Sequence, residues 1–291
     1  MLILTPVLCA LMTGPLAHRV HRRLAKADWW FEVPLSQTSA AMRNWSGATP
    51  ENDWLWRHRR LELRDRTDAL RAWFSSEPTL SRSVTVCGDP VPKAPFVGIT
   101  LHYGPGLWSL RMLKSLGVRA SFLSIPMRRE DYPGRPLLFL FESARNFVAS
   151  RLGTASVTYA SNAFDQLATL LTQGQSIVGM LDVPGVSPKY RRRADLLGRE
   201  ISLPTGLIAL AAQRQVPILA FYVRERTPGG PLELVTRVLA HGASADPFDE
   251  VSRFLCGAIT DDAAPWHAWS WPSPEKAFEA RSPVPARSEV P

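Results

Sequence analysis

The sequence predicts an α/β protein, a sheet with both faces covered by helices and a helical part ahead of it. Three observations carry this. From residue 95 onward, short apolar runs alternate with segments whose apolar residues recur at helical spacing. Those runs are apolar nearly throughout instead of alternating with polar residues, as strands buried on both faces require. The chain of 291 residues, 45% hydrophobic, is long enough to bury a sizeable core. Gly 18 and Pro 25 together stay below the about 25–30% of low-complexity chains, so wholesale disorder is excluded.

Residues 1–17, MLILTPVLCALMTGPLA, are apolar and uncharged. A spanning helix needs about 20 such residues, and this run is interrupted by Pro6, Gly14 and Pro15. It also lacks the positive start of a secretory signal. His18, Arg19, His21, Arg22, Arg23 and Lys26 follow at once. Two outcomes are expected for residues 1–27: an interfacial anchor on an anionic leaflet, or a buried first helix with a solvated basic face. The charged stretch 53–74, DWLWRHRRLELRDRTDALRAWF, predicts one helix with Asp53 as its cap.

PFVGITL (95–101) predicts a buried strand, and LWSLRMLKSLG (107–117) a helix stopping at Gly117. ASFLSIP (120–126) predicts a second strand closed by Pro126. Helices are expected over 136–150 and 162–173, with a strand at ASVTYA (155–160) between them. SIVGMLD (176–182) is an apolar strand ending in an acid. Residues 203–214 predict a helix with Pro204 in its first turn, where the missing N–H costs little. VPILAFYV (216–223) and LELVTRV (232–238) complete the strands. With no internal repeat or long linker, 28–279 reads as one domain, and 280–291, rich in Pro, Ser and Arg, as a flexible tail.

Lys+Arg 34 against Asp+Glu 26 gives a net charge of +8, which suits nucleic acid, anionic lipid or an acidic protein as partner. No nucleic-acid-binding motif is visible, so that partner is not expected. Cys9, Cys87 and Cys256 are too few and too far apart for a disulfide framework, which favours a reducing compartment. With six scattered histidines they offer no zinc spacing either, so no metal is expected. Nine of the ten tryptophans lie outside the middle of the chain: Trp29, Trp30, Trp45, Trp54, Trp56, Trp73, Trp266, Trp269 and Trp271. Tryptophan suits a membrane–water boundary as well as a core, and both readings stand at this point.

His102 is the most informative residue. It lies just past the strand 95–101 in T-L-H-Y-G-P-G-L-W, and ligands in open α/β sheets bind beyond the carboxyl ends of strands. Gly104 and Gly106 let backbone approach a ligand closely. The helix that follows favours an anion at its N-terminus.

These residues resemble a family. The stretch 98–113 is similar to the His-x4-acid block of the lysophospholipid acyltransferase superfamily, in its bacterial lipid A late acyltransferase branch. That branch includes the lauroyl and myristoyl transferases and the phosphatidylinositol mannoside acyltransferases. G-M-L-D-V-P-G (179–185) and L-L-G-R-E-I-S-L-P-T-G (196–206), with the helix and strand that follow, are similar to the branch's Asp-containing strand end and its F-G-x-x-x-x-x-P-x-G block. The order and spacing agree over about 98–224, and P-W-H-A-W-S-W (265–271) resembles the branch's tryptophan-rich ending.

The resemblance implies a mixed, largely parallel sheet flanked by helices, of the glycerol-3-phosphate acyltransferase-like kind. It implies transfer of a fatty acyl group from acyl carrier protein or acyl-CoA to a hydroxyl of a lipid or glycolipid acceptor. It also implies the cytoplasmic face of a bacterial inner membrane, peripheral or N-terminally anchored, and no cofactor. His102 is then the general base, suited by the unperturbed imidazole pKa of about 6.5. No G-x-S-x-G nucleophile elbow is present, which agrees with direct transfer.

The chain departs from the pattern where the motif acid should stand, because that position is Leu107. Three readings stay open: His102 acts alone, another acid (Glu130, Asp131 or Asp182) folds in, or the protein has lost the reaction and binds an acyl group or a partner enzyme. A thioester hydrolase is a further alternative. Among these acids Asp182 is assigned a catalytic place, because it ends a strand. The substrate-binding candidates are Gly104, Gly106, Gly198 and Gly206, the helix arginines Arg145 and Arg151, and the basic run containing Lys189, Arg191 and Arg192. That run, with Arg193 and Arg199, is either a solvated loop or a dock for an acidic carrier, a phosphate or lipid headgroups.

Overall fold

The computed structural model describes residues 4–31, 33–47, 49–74, 83–93, 95–124, 127–134, 136–153, 155–158, 162–183, 188–242, 246–270 and 278. The expected tail 280–291, the segment Ile125–Pro126 and the ends of the stretches around 160 and 185 lie outside them.

Seven strands form one mixed sheet: β1 (Val84–Gly88), β2 (Val97–Thr100), β3 (Ala120–Ser124), β4 (Ala155–Thr158), β5 (Ser176–Met180), β8 (Ile218–Glu225) and β9 (Leu232–Leu239), in the order β1-β9-β8-β2-β5-β3-β4. From β8 to β4 every neighbouring pair is parallel. β9 runs antiparallel to β8 and parallel to β1. Each predicted strand forms. β1 is additional: only its first residue is buried, so it carries no apolar run from which a buried strand could be inferred.

The central strand β2 is buried along its whole length between β5 and β8, which explains the unbroken apolar run. The crossovers are helical: α5 (Leu107–Ser115) joins β2 to β3, α6 (Pro136–Leu152) joins β3 to β4, and α7 (Ala163–Thr172) joins β4 to β5. α8 (Gly206–Arg214) precedes β8, and α9 (Pro247–Asp261) follows β9. Asp246 caps α9 by accepting from the N–H groups of Phe248 and Asp249. Two apolar clusters cover the two faces. One holds residues of α7, α8 and α9 with Trp45, Trp266 and Trp269; the other holds residues of α5 and α6 with Ala69 and Ala72.

The N-terminal part comprises α1 (Leu4–Leu11), α2 (Gly14–Leu24), α3 (Leu35–Ser46) and α4 (Asn52–Phe74). The predicted helix over 53–74 forms, but it starts at Asn52 and places Asp53 in its first turn instead of at the cap. α4 is charged yet largely buried. Arg60 and Arg64 both bond the buried Glu225 carboxylate, Asp65 pairs with Arg145 at 2.8 Å, and Arg71 donates to the carbonyls of Cys9 and Met12. Paired charges can be buried where lone ones cannot.

Residues 4–27 do not stand apart from the domain. Cys9, Ala17, His21 and Ala25 are buried, with His21 Nε2 3.0 Å from Thr67 Oγ1 on α4. The other side of the same helices exposes Val7, Leu8, Leu11 and Leu16. The expected burial of this segment describes its inner face. No helix among the described residues is long and apolar enough to cross a membrane.

Two further expectations are corrected. The basic run is a β-hairpin and not a loop: β6 (Arg191–Leu196) pairs antiparallel with β7 (Arg199–Pro204). Pro204 ends β7 instead of opening a helix, and α8 begins two residues later. The tryptophans divide between core and surface. Trp45, Trp266 and Trp269 are fully buried and meet edge to face with centroids 4.9–5.9 Å apart, whereas Trp29 is 72% exposed.

Candidate active site

Parallel register builds the site. β2 and β5 pair Thr100 with Met180, and the Leu181 N–H donates to the Thr100 carbonyl at 2.8 Å. Two residues further along each strand stand His102 and Asp182. The Asp182 carboxylate accepts the His102 backbone N–H at 3.0 and 2.9 Å and faces His102 Nδ1 at 3.0 Å. The Trp266 indole N–H donates to its other oxygen at 2.9 Å. A carboxylate only accepts, so Nδ1 carries the proton and Nε2 carries the lone pair.

Asp182 is buried, while the His102 side chain is 26% exposed. Burial alone would push the Asp182 carboxyl up. The facing imidazole and the donors from His102 and Trp266 outweigh it, and the net shift is downward. The acid is therefore ionised and hydrogen-bonded, as an orienting group for imidazole needs to be.

The loop after His102 is held as tightly. Gly104 has φ +60, and a Cβ there would lie 2.2 Å from the Val223 carbonyl oxygen, so only glycine fits. Gly104 N–H donates to Pro265 O at 3.0 Å, Gly106 N–H donates to Gly104 O at 2.9 Å, and Tyr103 and Trp266 form an antiparallel bridge. The buried Tyr103 hydroxyl donates toward the carbonyls of Ala258 and Asp262. Burial pushes its phenol up, with Asp262 adding to this, so it stays a donor. α5 starts immediately after this loop with no side-chain cap, so its positive end adjoins the loop. Gly206 opens α8 at the same edge of the sheet: Leu207 next to it lies against Gly179 on β5, where a Cβ would meet its Cδ1 at 2.6 Å.

His102, Asp182, Gly104, Gly106 and the start of α8 are thus gathered at one edge, and other candidates are engaged elsewhere. Leu107 is buried in the apolar cluster that holds Trp108 and Val148, so no acid could sit there without a partner. Glu130 is exposed in the turn Arg129–Asp131; the side chain of Asp131 lies outside the described residues. Arg145 is bound to Asp65 and faces Glu142 at 3.9 Å. Lys114, at the far end of α5, donates to the Arg151 carbonyl, so Arg151 lies at the opposite end of the sheet from His102. Its guanidinium stacks on Phe147.

The hairpin arginines are engaged within the domain. Arg191 donates to Ser202 O at 2.6 Å, Arg192 clamps Asp246 at 2.9 and 2.7 Å, and Arg193 pairs with Glu200 at 2.6 Å. Arg199 donates to the Trp45 and Asn44 carbonyls. Lys189 lies over the Tyr190 ring, and Gly198 is a turn residue of the hairpin. A cavity of about 440 Å³ between β6 and α9 is lined by Arg193, Asp195, Ser252, Cys256 and Thr260, not by His102 or Asp182.

Sequence reasoning missed Trp266 as a partner of Asp182 and His267 as a partner of the loop. His267 N–H donates to His102 O at 2.9 Å, and its Nε2 reaches Gly104 O at 2.9 Å. The run P-W-H-A-W-S-W marked the segment, but nothing in it marked which side chains turn toward the site. Comparison of the chain with known protein families and with curated proteins finds no match.

Proposed function

We propose that this protein is an acyltransferase of the glycerol-3-phosphate acyltransferase-like kind. It moves a fatty acyl group from acyl carrier protein or acyl-CoA to a hydroxyl of a lipid-like acceptor, with His102 as general base and Asp182 as its orienting acid. The observation that carries this is the 3.0 Å contact between His102 Nδ1 and Asp182 Oδ1, which answers the loss of the motif acid at Leu107. With Nδ1–H fixed on a carboxylate, Nε2 is the basic nitrogen. It takes the proton of the acceptor hydroxyl as that oxygen attacks the thioester carbonyl, and it returns the proton to the departing thiolate as the tetrahedral intermediate collapses. Asp182 stabilises the imidazolium formed in between.

The outer face of α1 and α2 supports a membrane location. Val7, Leu8, Leu11 and Leu16 are exposed there, and Arg19, Arg22, Arg23 and Lys26 on and just after α2 are exposed as well. An apolar helix face beside cations suits an anionic leaflet.

The test incubates purified protein with radiolabelled acyl carrier protein or acyl-CoA and a lipid extract. Label in lipid is expected, and His102→Ala should abolish it. Free fatty acid instead would make the protein a hydrolase, and an untouched thioester would leave only a binding role.

A further inference from the structure

We infer that His267 is a positioning residue for His102, held in place by a buried cluster on α4; this rests on the acyltransfer reading above. The segment 263–270 crosses the catalytic loop as a strap. Its contacts with the loop come from backbone and from one side chain. Trp266 bridges Tyr103, Pro265 O accepts from Gly104 N–H, and His267 bonds the loop twice, by its own N–H to His102 O and by its ring to Gly104 O. A carbonyl accepts only, so Nε2 of His267 carries the proton. That ring bond fixes the carbonyl of Gly104, a glycine already pressed against Val223 O. The His102 backbone is therefore gripped on one side by Asp182 and on the other by the strap.

The strap is itself tied down at both ends by a pair on α4, His58 at Ala264 and Glu62 at Ser270. His58 on α4 is 1% exposed. Its Nδ1 faces Ala264 O at 2.8 Å, its Nε2 lies 3.2 Å from Ser270 Oγ, and the Ser270 hydroxyl donates to Glu62. Trp54 stacks on the outer face of His58. Arg57 adds a further tie, bonding Asp262 just ahead of the strap. No acid, base or nucleophile is needed from this cluster. Its product is the placement of His267, and through it the aim of the His102 ring, where an error of about 1 Å costs up to about a hundredfold in rate.

The test uses the full chain with palmitoyl-CoA as donor, a lipid extract as acceptor and thiol release as the readout, below each variant's melting transition. His267→Ala should lower kcat about ten- to a hundredfold and leave KM unchanged, and His267→Gln, which restores an N–H to Gly104 O, should recover most of it. Unchanged kcat in the alanine variant, or no recovery in the glutamine variant, would overturn the proposal. If the wild-type protein turns over no thioester, the acyltransfer reading fails alone. Positioning is then read by amide hydrogen exchange over residues 102–106, which His267→Ala should accelerate and His267→Gln should not. Equal exchange in the wild type and the alanine variant would sink it.

Discussion

Two imidazole–carboxylate pairs among the described residues are built in opposite ways. His102 and Asp182 come from neighbouring parallel strands, 80 residues apart in sequence, and meet at 3.0 Å with the imidazole partly exposed. His58 and Glu62 come from one turn of α4, stand 3.8 Å apart and are closed in, with both ring nitrogens facing oxygens of the strap. In the first pair the acid takes one nitrogen, and the ring sits partly exposed beyond the carboxyl end of the central strand β2. In the second, burial pushes the imidazole down against the opposing pull of Glu62, and no substrate can reach it. A histidine beside an acid is therefore not a site by itself; which nitrogen the acid takes and what lies beyond the other one decide.

The largest expected effect breaks the first pair. Asp182→Asn keeps the shape but presents an amide to His102 Nδ1, favouring the wrong tautomer. By analogy with serine proteases, thioester turnover should fall by about 10³–10⁴. Steady-state kinetics beside a melting curve checks this; a loss of turnover fully explained by unfolding would remove Asp182 from the mechanism. The equivalent break in the second pair, His58→Ala, should act chiefly on stability. It empties a buried ring and orphans Ala264 O, costing about 2–4 kcal/mol, while kcat below the melting transition falls no more than about tenfold. Denaturant titration of both variants gives the contrast directly.

How much of this was legible follows from the kind of information each feature needs. The apolar runs of β2, β3, β5 and β8 and the helix periods of α5 and α7 are local, and the sequence shows them. His102 was legible because a strand end and a glycine turn flank it. Its pairing with Asp182 was not, because register between β2 and β5 is set by tertiary packing; the sequence could only offer Asp182 as one of three acids. The hairpin β6–β7 hid behind its arginines, whose partners are Glu200 across the hairpin and, on other elements, Asp246 and the Trp45 carbonyl. α4 hid its burial for the same reason. Charge content reads as solvent exposure until the counter-charges are placed.

A third histidine sharpens the comparison through pH. His21 is buried against Thr67, and desolvation, with Arg71, Arg60 and Arg64 nearby, lowers its pKa to about 3. Its folded value lies below its unfolded one, so the native state binds fewer protons. Stability from this group is present above pH about 6.5 and falls as pH drops toward 3, by about 1.4 kcal/mol per unit. Glu225, held down to about 2 by Arg60 and Arg64 against its burial, loses its contribution only below about 4.5. Denaturation at pH 7 and pH 5 should therefore show a slope that His21→Gln reduces by about one proton. An unchanged slope would mean that α2 does not bury this ring in solution.

The smallest gain is expected where the sequence departs most from the family it resembles. Restoring an acid with Leu107→Glu places a carboxylate in the cluster of Trp108, Val148 and Phe96, with Nδ1 of His102 already taken by Asp182. The new group has no imidazole proton to hold, so it should be driven up and neutralised by burial, at a cost of about 1–3 kcal/mol. Turnover should not rise. The double variant Leu107→Glu with Asp182→Asn separates the two positions. If glutamate at 107 rescued the asparagine variant, the two acids would be interchangeable around one imidazole. If it did not, the register of β2 and β5 is what selects the acid, and a leucine at the motif position is the packing consequence of an acid supplied from the next strand.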